Sequence, residues 1–85
     1  MNYLNEDRDI YIEKLTDDLP VLRARIHISQ GELASSVGIS RQTYSLVETG
    51  KQKMSWITFM ALIAFFSSHK KTKKELIALG LIDEN

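Results

Sequence analysis

Residues Gln30 to Thr49 read QGELASSVGISRQTYSLVET, and this stretch decides how the rest of the chain is understood. Ser29-Gln30-Gly31-Glu32 forms a capping box, in which the Ser hydroxyl and the Glu carboxylate satisfy orphan amides of a helix start reciprocally. The helix it opens is predicted to end near Val37, because Gly38 supplies the left-handed backbone of a tight exit. Ser40 then caps a second helix, which ends around Glu48 or Thr49 with Gly50 beyond it. Leu33, Val37, Ile39, Tyr44 and Val47 are spaced so that each helix buries one face, and Ala34 is small enough to sit where the pair crosses. Tyr44 is expected in the core with its hydroxyl reaching the surface, and Glu48 to bond near the end of its own helix. This leaves Arg41, Gln42, Ser45 and Leu46 exposed on the second helix, with one side of Thr43.

Working outward, helix signals are frequent and strand signals scarce. Asp17 or Asp18 caps a helix with Pro20, the only proline, in its first turn, where a missing N–H costs nothing. That helix runs to about Ile26, with Leu19, Leu22 and Ile26 on one face. Before it, residues Glu6 to Leu15 read as helical, although Ile10-Tyr11-Ile12 fits a strand almost as well. Ser55 caps a helix from Trp56 to Phe66 or Ser67, and Thr72-Lys73-Lys74-Glu75 is a second capping box opening a short helix that stops at Gly80. The expected architecture is all-α: a compact bundle of five short helices with an extra N-terminal helix. Residues 1–16 form an acidic N-terminal extension and residues 17–82 the domain proper. In the Trp56 helix, Trp56, Phe59, Met60, Ile63 and Phe66 are assigned to the core. Ile57, Leu62 and Phe65 point elsewhere, so that helix is apolar nearly all round and calls for burial on two sides. The bland reading covers its second face with the N-terminal segment or the last helix. The sharper one is a homodimer interface drawing on Leu62, Phe65, Leu79, Leu81 or Ile82.

At 85 residues the chain has room for one core. With 44% hydrophobic and 26% charged residues it has the balance of an ordinary globule, and with no cysteine it has no disulfide or thiolate metal site to staple it. The start, MNYLNEDRDI, is acidic and lacks the positive-then-apolar order of a secretion signal. The most apolar stretch, Ile57 to Phe66, is about half of the roughly 20 residues a membrane-spanning helix needs, so a cytoplasmic protein without membrane contact is expected. Net charge is zero but unevenly spread. Residues 1–20 carry Glu6, Asp7, Asp9, Glu13, Asp17 and Asp18 against Arg8 and Lys14, a net −4. Residues 21–54 carry Arg23, Arg25, Arg41, Lys51 and Lys53 against Glu32 and Glu48, a net +3. Lys70, Lys71, Lys73 and Lys74 read as a solvated face. His27 and His69 are isolated and the carboxylates are not clustered, so no enzyme, metal or cofactor is expected.

A helix pair that reads DNA meets at a steep angle with its second helix exposed along one side, the helix-turn-helix arrangement. The exposed residue types suit base edges: Arg donates two bonds to guanine, Gln pairs with adenine, and an apolar side chain touches the thymine methyl. The stretch from Leu22 to about Phe66 resembles the Cro/repressor-like (Xre-type) helix-turn-helix family of phage and bacterial regulators. It does so through Leu22-Arg23, Ile28-Ser29-Gln30, Glu32-Leu33-Ala34, Val37-Gly38-Ile39-Ser40-Arg41, Val47-Glu48 and Gly50-Lys51. The resemblance implies a lambda-repressor-like fold and a sequence-specific transcriptional regulator, a repressor. It also implies binding to a palindromic operator in double-stranded DNA as a homodimer, with helix 41–49 in the major groove. By position it implies base reading by Arg41, Gln42 and Leu46, and backbone contacts from Gln30, Thr43, Ser45 and Lys51; Lys53, as a further phosphate contact, and Ser40 complete the expected DNA-binding residues. The chain departs from the family pattern at His27, where Gly is usual, at Tyr44, where an aliphatic residue is usual, and at Leu46, where a polar or basic residue is frequent. The alternative is an antitoxin-like or other protein-interaction module retaining the fold, with a protein partner engaged through the acidic N-terminus.

Overall fold

The computed structural model describes residues 7–84. Glu6, part of the acidic tally and of the first expected helix, lies outside them together with residues 1–5 and 85. Among the described residues five helices follow one another: α1 (Arg8–Arg25), α2 (Gln30–Val37), α3 (Arg41–Glu48), α4 (Trp56–Ser67) and α5 (Lys70–Ala78). There is no strand among the described residues, so Ile10-Tyr11-Ile12 is helical. α1 packs on α3, α4 and α5, and α2 packs on α3 and α4. No helix among the described residues is long and apolar enough to cross a membrane.

The helix expected to begin at Asp17 or Asp18 begins instead at Arg8 and runs unbroken through Pro20. The extra N-terminal helix and the first helix of the bundle are one element. The reason is the stripe Ile12, Leu15, Leu19 and Leu22, which falls on one face only if the helix is continuous, and all four side chains are buried. Burying each contributes about 1.5–3 kcal/mol, whereas a proline inside a helix costs about 3 kcal/mol. Pro20 is exposed, so its ring and missing N–H disturb the solvent side. Four buried side chains outweigh one proline.

α4 supplies the centre of the core through Phe59, Leu62 and Phe66, against Leu76 of α5 and Leu81 beyond it. Two sequence assignments are corrected here. Met60 is 52% exposed and Leu62 is fully buried, the reverse of the expected phase. Because α4 is apolar all round, its periodicity carries no phase, and packing against α1, α2 and α5 sets it. Leu62 and Leu81, both at 0% exposure, are therefore unavailable to a second subunit, while Ile57 is 81% exposed. The capping box expected at Thr72 also does not form. α5 starts earlier, with His69 at its N-cap. The buried Thr72 hydroxyl donates to the Phe66 carbonyl at 2.6 Å, closing the end of α4, and Glu75 turns to Arg25 on α1.

The ends of α1 and α2 share one hydrogen-bond pattern. His27 N–H donates to Ala24 O and Ile28 N–H to Arg23 O at the end of α1; Gly38 N–H donates to Ser35 O and Ile39 N–H to Ala34 O at the end of α2. This double closure needs a left-handed residue at its corner. Gly38 provides it at φ 81° without penalty, whereas His27 adopts φ 54° with a Cβ in place.

Candidate nucleic-acid interface

The α2–α3 pair forms as its caps dictate. Ser29 Oγ accepts from Glu32 N–H and Glu32 Oε1 accepts from Ser29 N–H, each at 3.0 Å. Ser40 Oγ accepts from Thr43 N–H at 3.0 Å and donates to Thr43 Oγ1 at 2.9 Å. Leu33, Ala34, Tyr44 and Val47 are buried between and beneath the helices, with Val37 and Ile39 packed at their edge. Burying Tyr44 and Val47 turns the opposite side of α3 outward. Gln30, Arg41, Gln42, Ser45 and Leu46 line one shallow depression of about 470 Å³ between the start of α2 and the outer face of α3. The Arg41 stem lies across Gly31: a Cβ added there would sit 3.6 Å from Arg41 Cδ.

The other expected contact residues lie apart from this depression. Ser40 and Thr43 satisfy each other at the helix start. Lys51 is exposed in the loop after α3. Lys53, further along the same loop, is paired with Asp9 of α1.

Beneath the interface sits a cluster that sequence reading placed only in part. Glu48, at the last turn of α3, accepts four hydrogen bonds. Arg23 Nε and Nη2 of α1 donate to its two oxygens at 2.8 and 3.0 Å, Gln30 Nε2 of α2 donates at 2.7 Å, and the Tyr44 hydroxyl donates at 2.7 Å. Arg23 Nη1 also donates to Ile28 O at 3.2 Å, in the link between α1 and α2. The expectation of a structural Glu48 is met, but the Tyr44 hydroxyl ends on this carboxylate and not at the surface; Tyr44 is fully buried. Burial opposes ionisation of Glu48, yet the bonds from Arg23, Tyr44 and Gln30, with the Arg23 charge, outweigh it and hold the carboxylate below its usual range. Its hydrogen bond to Glu48, more than burial opposes, raises the pKa of Arg23, and burial followed by the bond to Glu48 pushes the Tyr44 phenol up. The cluster thus stays an ion pair with two neutral donors. The Tyr44–Glu48 spacing of four is a signal the sequence offered; nothing local pointed to Arg23, 25 residues away.

Gln30 belongs to both sites. Its carboxamide lines the depression while one amide hydrogen is fixed on Glu48, so the cluster orients a residue of the exposed face. A helix-turn-helix family model matches residues 22–66, from the second half of α1 to Phe66 of α4. No curated protein and no solved structure matches the chain.

Proposed function

The chain belongs to the helix-turn-helix family of Cro/repressor (Xre) type, a family of DNA-binding regulators, and on that basis we propose that it represses transcription from a palindromic operator as a cytoplasmic homodimer. The observation that carries this reading is the single outward face of α3, where Arg41, Gln42, Ser45 and Leu46 meet Gln30 at the start of α2. In this reading α3 enters the major groove. Arg41 donates to guanine O6 and N7, Gln42 pairs with adenine, and Leu46 meets a thymine methyl. Gln30, Ser40, Thr43, Ser45, Lys51 and Lys53 contact phosphates, which fix register without carrying sequence. Gln30 keeps one amide hydrogen for a phosphate once the other is held by Glu48.

A two-fold operator matches a two-fold protein. Ile57 and Met60, exposed and three residues apart on α4, support a second copy seated there. The same apolar face favours the second reading, an antitoxin-like or other protein-interaction module. Selection of bound sequences from a random DNA pool separates the two. An operator binder enriches inverted half-sites whose affinity falls steeply with salt. Enrichment no better than from the unselected pool refutes the operator reading and leaves the interaction module.

A further inference from the structure

Asp9, Glu13 and Asp17 follow one another at intervals of four along α1 and so share one helix face. All three are exposed, and with Ile12 and Thr16 they form one wall of a shallow depression of about 440 Å³. The other wall is Gly50, Gln52 and Lys53, the loop by which the chain leaves α3. Lys53 Nζ is paired there with Asp9 Oδ1. No ion pair among the described residues reaches Glu13 or Asp17. Like charges at this spacing repel, and the pair is very open, with the Lys53 side chain 60% and the Asp9 side chain 76% exposed. Such a pair adds little to stability and is readily exchanged for another partner. Three carboxylates therefore stand against the loop that follows the outward-facing helix, holding a lysine they gain little by holding.

We propose that Asp9, Glu13 and Asp17 compete with DNA phosphates for Lys53, so that the stripe is a built-in brake on sequence-independent DNA affinity. This rests on the DNA-binding reading above. Lys53 must leave Asp9 before it neutralises a phosphate, and Glu13 and Asp17 on the same wall offer it further carboxylates to return to. Base discrimination, which belongs to α3, is untouched.

The test measures binding of the full chain to a mixed-sequence duplex by anisotropy, for the wild type, Asp9→Asn and Asp9→Asn/Glu13→Gln/Asp17→Asn, each also with Lys53→Gln. All changed side chains are exposed, and circular dichroism checks that each variant stays folded. The triple variant is expected to bind several-fold tighter at low salt. Gaining about one phosphate contact steepens its salt slope by roughly 0.9, so its advantage shrinks about three- to fourfold between ~50 and ~200 mM salt. Asp9→Asn is expected to give part of this gain, and neither set gains anything with Lys53→Gln. Wild-type binding that is matched by the triple variant overturns the brake and leaves the DNA-binding reading standing. A gain that survives Lys53→Gln overturns the competition for this lysine. Absence of binding by every variant overturns the DNA-binding reading and the brake with it.

Discussion

Two carboxylate-centred clusters flank α1, one under the outward face of α3 and one under α5, and they handle charge in opposite ways. Arg23 and Arg25 are two positions apart on α1 and so point to different sides: Arg23 to Glu48 of α3, Arg25 to Glu75 of α5. At Glu48 one carboxylate meets one guanidinium and two neutral donors. At Glu75 one guanidinium faces two carboxylates, because Asp18 of α1 lies against the same group, and Asp18 Oδ2 is buried with no donor aimed at it. Burial first, then the hydrogen bond to Glu75 and the repulsion between the two, push Asp18 up to about 7. That bond, ahead of opposing burial and of the Arg25 contribution, holds Glu75 down. Below about pH 7 Asp18 therefore holds a proton and donates it in a hydrogen bond to the Glu75 carboxylate. The first cluster is complete at any physiological pH; the second needs a proton. The same residue types thus make the contact beneath α3 insensitive to pH and the contact between α1 and α5 sensitive to it.

The comparison breaks most visibly at Glu48. Glu48→Ala leaves Arg23, Gln30 and Tyr44 without their shared acceptor. Breaking a buried pair costs about 3–5 kcal/mol, and about 3 kcal/mol is expected because the Arg23 side chain keeps 21% exposure. Urea denaturation measures it, and the loss should be the same at pH 5.5 and pH 8, roughly the span over which the other cluster titrates. A loss under about 1 kcal/mol would reduce Glu48 to an ordinary surface pair. Tyr44→Phe removes one of the four bonds and keeps the buried ring, so about 1.5–2 kcal/mol is expected for a bond to a charged acceptor. A neutral Tyr44→Phe would mean that the hydroxyl finds no net gain on Glu48 over water.

The same contrast separates what was legible in the residues from what was not. The α2–α3 unit was readable because its signals are local: Ser29 with Glu32, Gly38, and Ser40 with Thr43 all lie within one turn of their partners. The alternation of buried Tyr44 and Val47 with exposed Arg41 and Gln42 then set the outward face. α1 was misread for the same reason, since Asp17, Asp18 and Pro20 are local start signals overruled by the long stripe from Ile12 to Leu22. Thr72 and Glu75 match a cap pattern but find stronger partners in Phe66 O and Arg25. Met60 and Leu62 were exchanged because a helix apolar on every side gives periodicity nothing to lock onto. Apart from the Tyr44–Glu48 spacing within α3, both clusters are built from contacts between helices, which no spacing within one helix announces.

Stability against pH sharpens the second half of the comparison. The folded pKa of Asp18, about 7, lies above its unfolded value of 3.8. Between these limits the folded chain binds more protons than the unfolded one, so stability falls as pH rises. The contribution of the shared proton is whole below about pH 4 and gone once pH passes through about 7. With solvent screening allowed for, the drop from pH 5 to pH 8 is on the order of 1 kcal/mol. Asp18→Asn keeps a donor for Glu75 without the ionisation and should flatten the profile. Thermal melts across the range test this, and an equal slope in wild type and Asp18→Asn would place the titration elsewhere.

The smallest effect lies at the turn from which both arginines are aimed. His27 occupies the left-handed corner that Gly38 fills at the end of α2, under the same two backbone bonds. A side chain there costs roughly 1–2 kcal/mol, while glycine returns part of that gain through its freer unfolded chain, about 0.5–1 kcal/mol. His27→Gly should therefore stabilise the fold by about 0.5–1 kcal/mol. Because the turn carries Ile28 O, the acceptor of Arg23 Nη1, the gain should appear as tighter closure at the Glu48 side. In hydrogen exchange the Ile28 amide, which bonds to Arg23 O, should then be protected more than the amides of α5. Destabilisation instead would show that the imidazole makes contacts worth more than its strain, and that the turn owes its shape to His27 and not merely tolerates it.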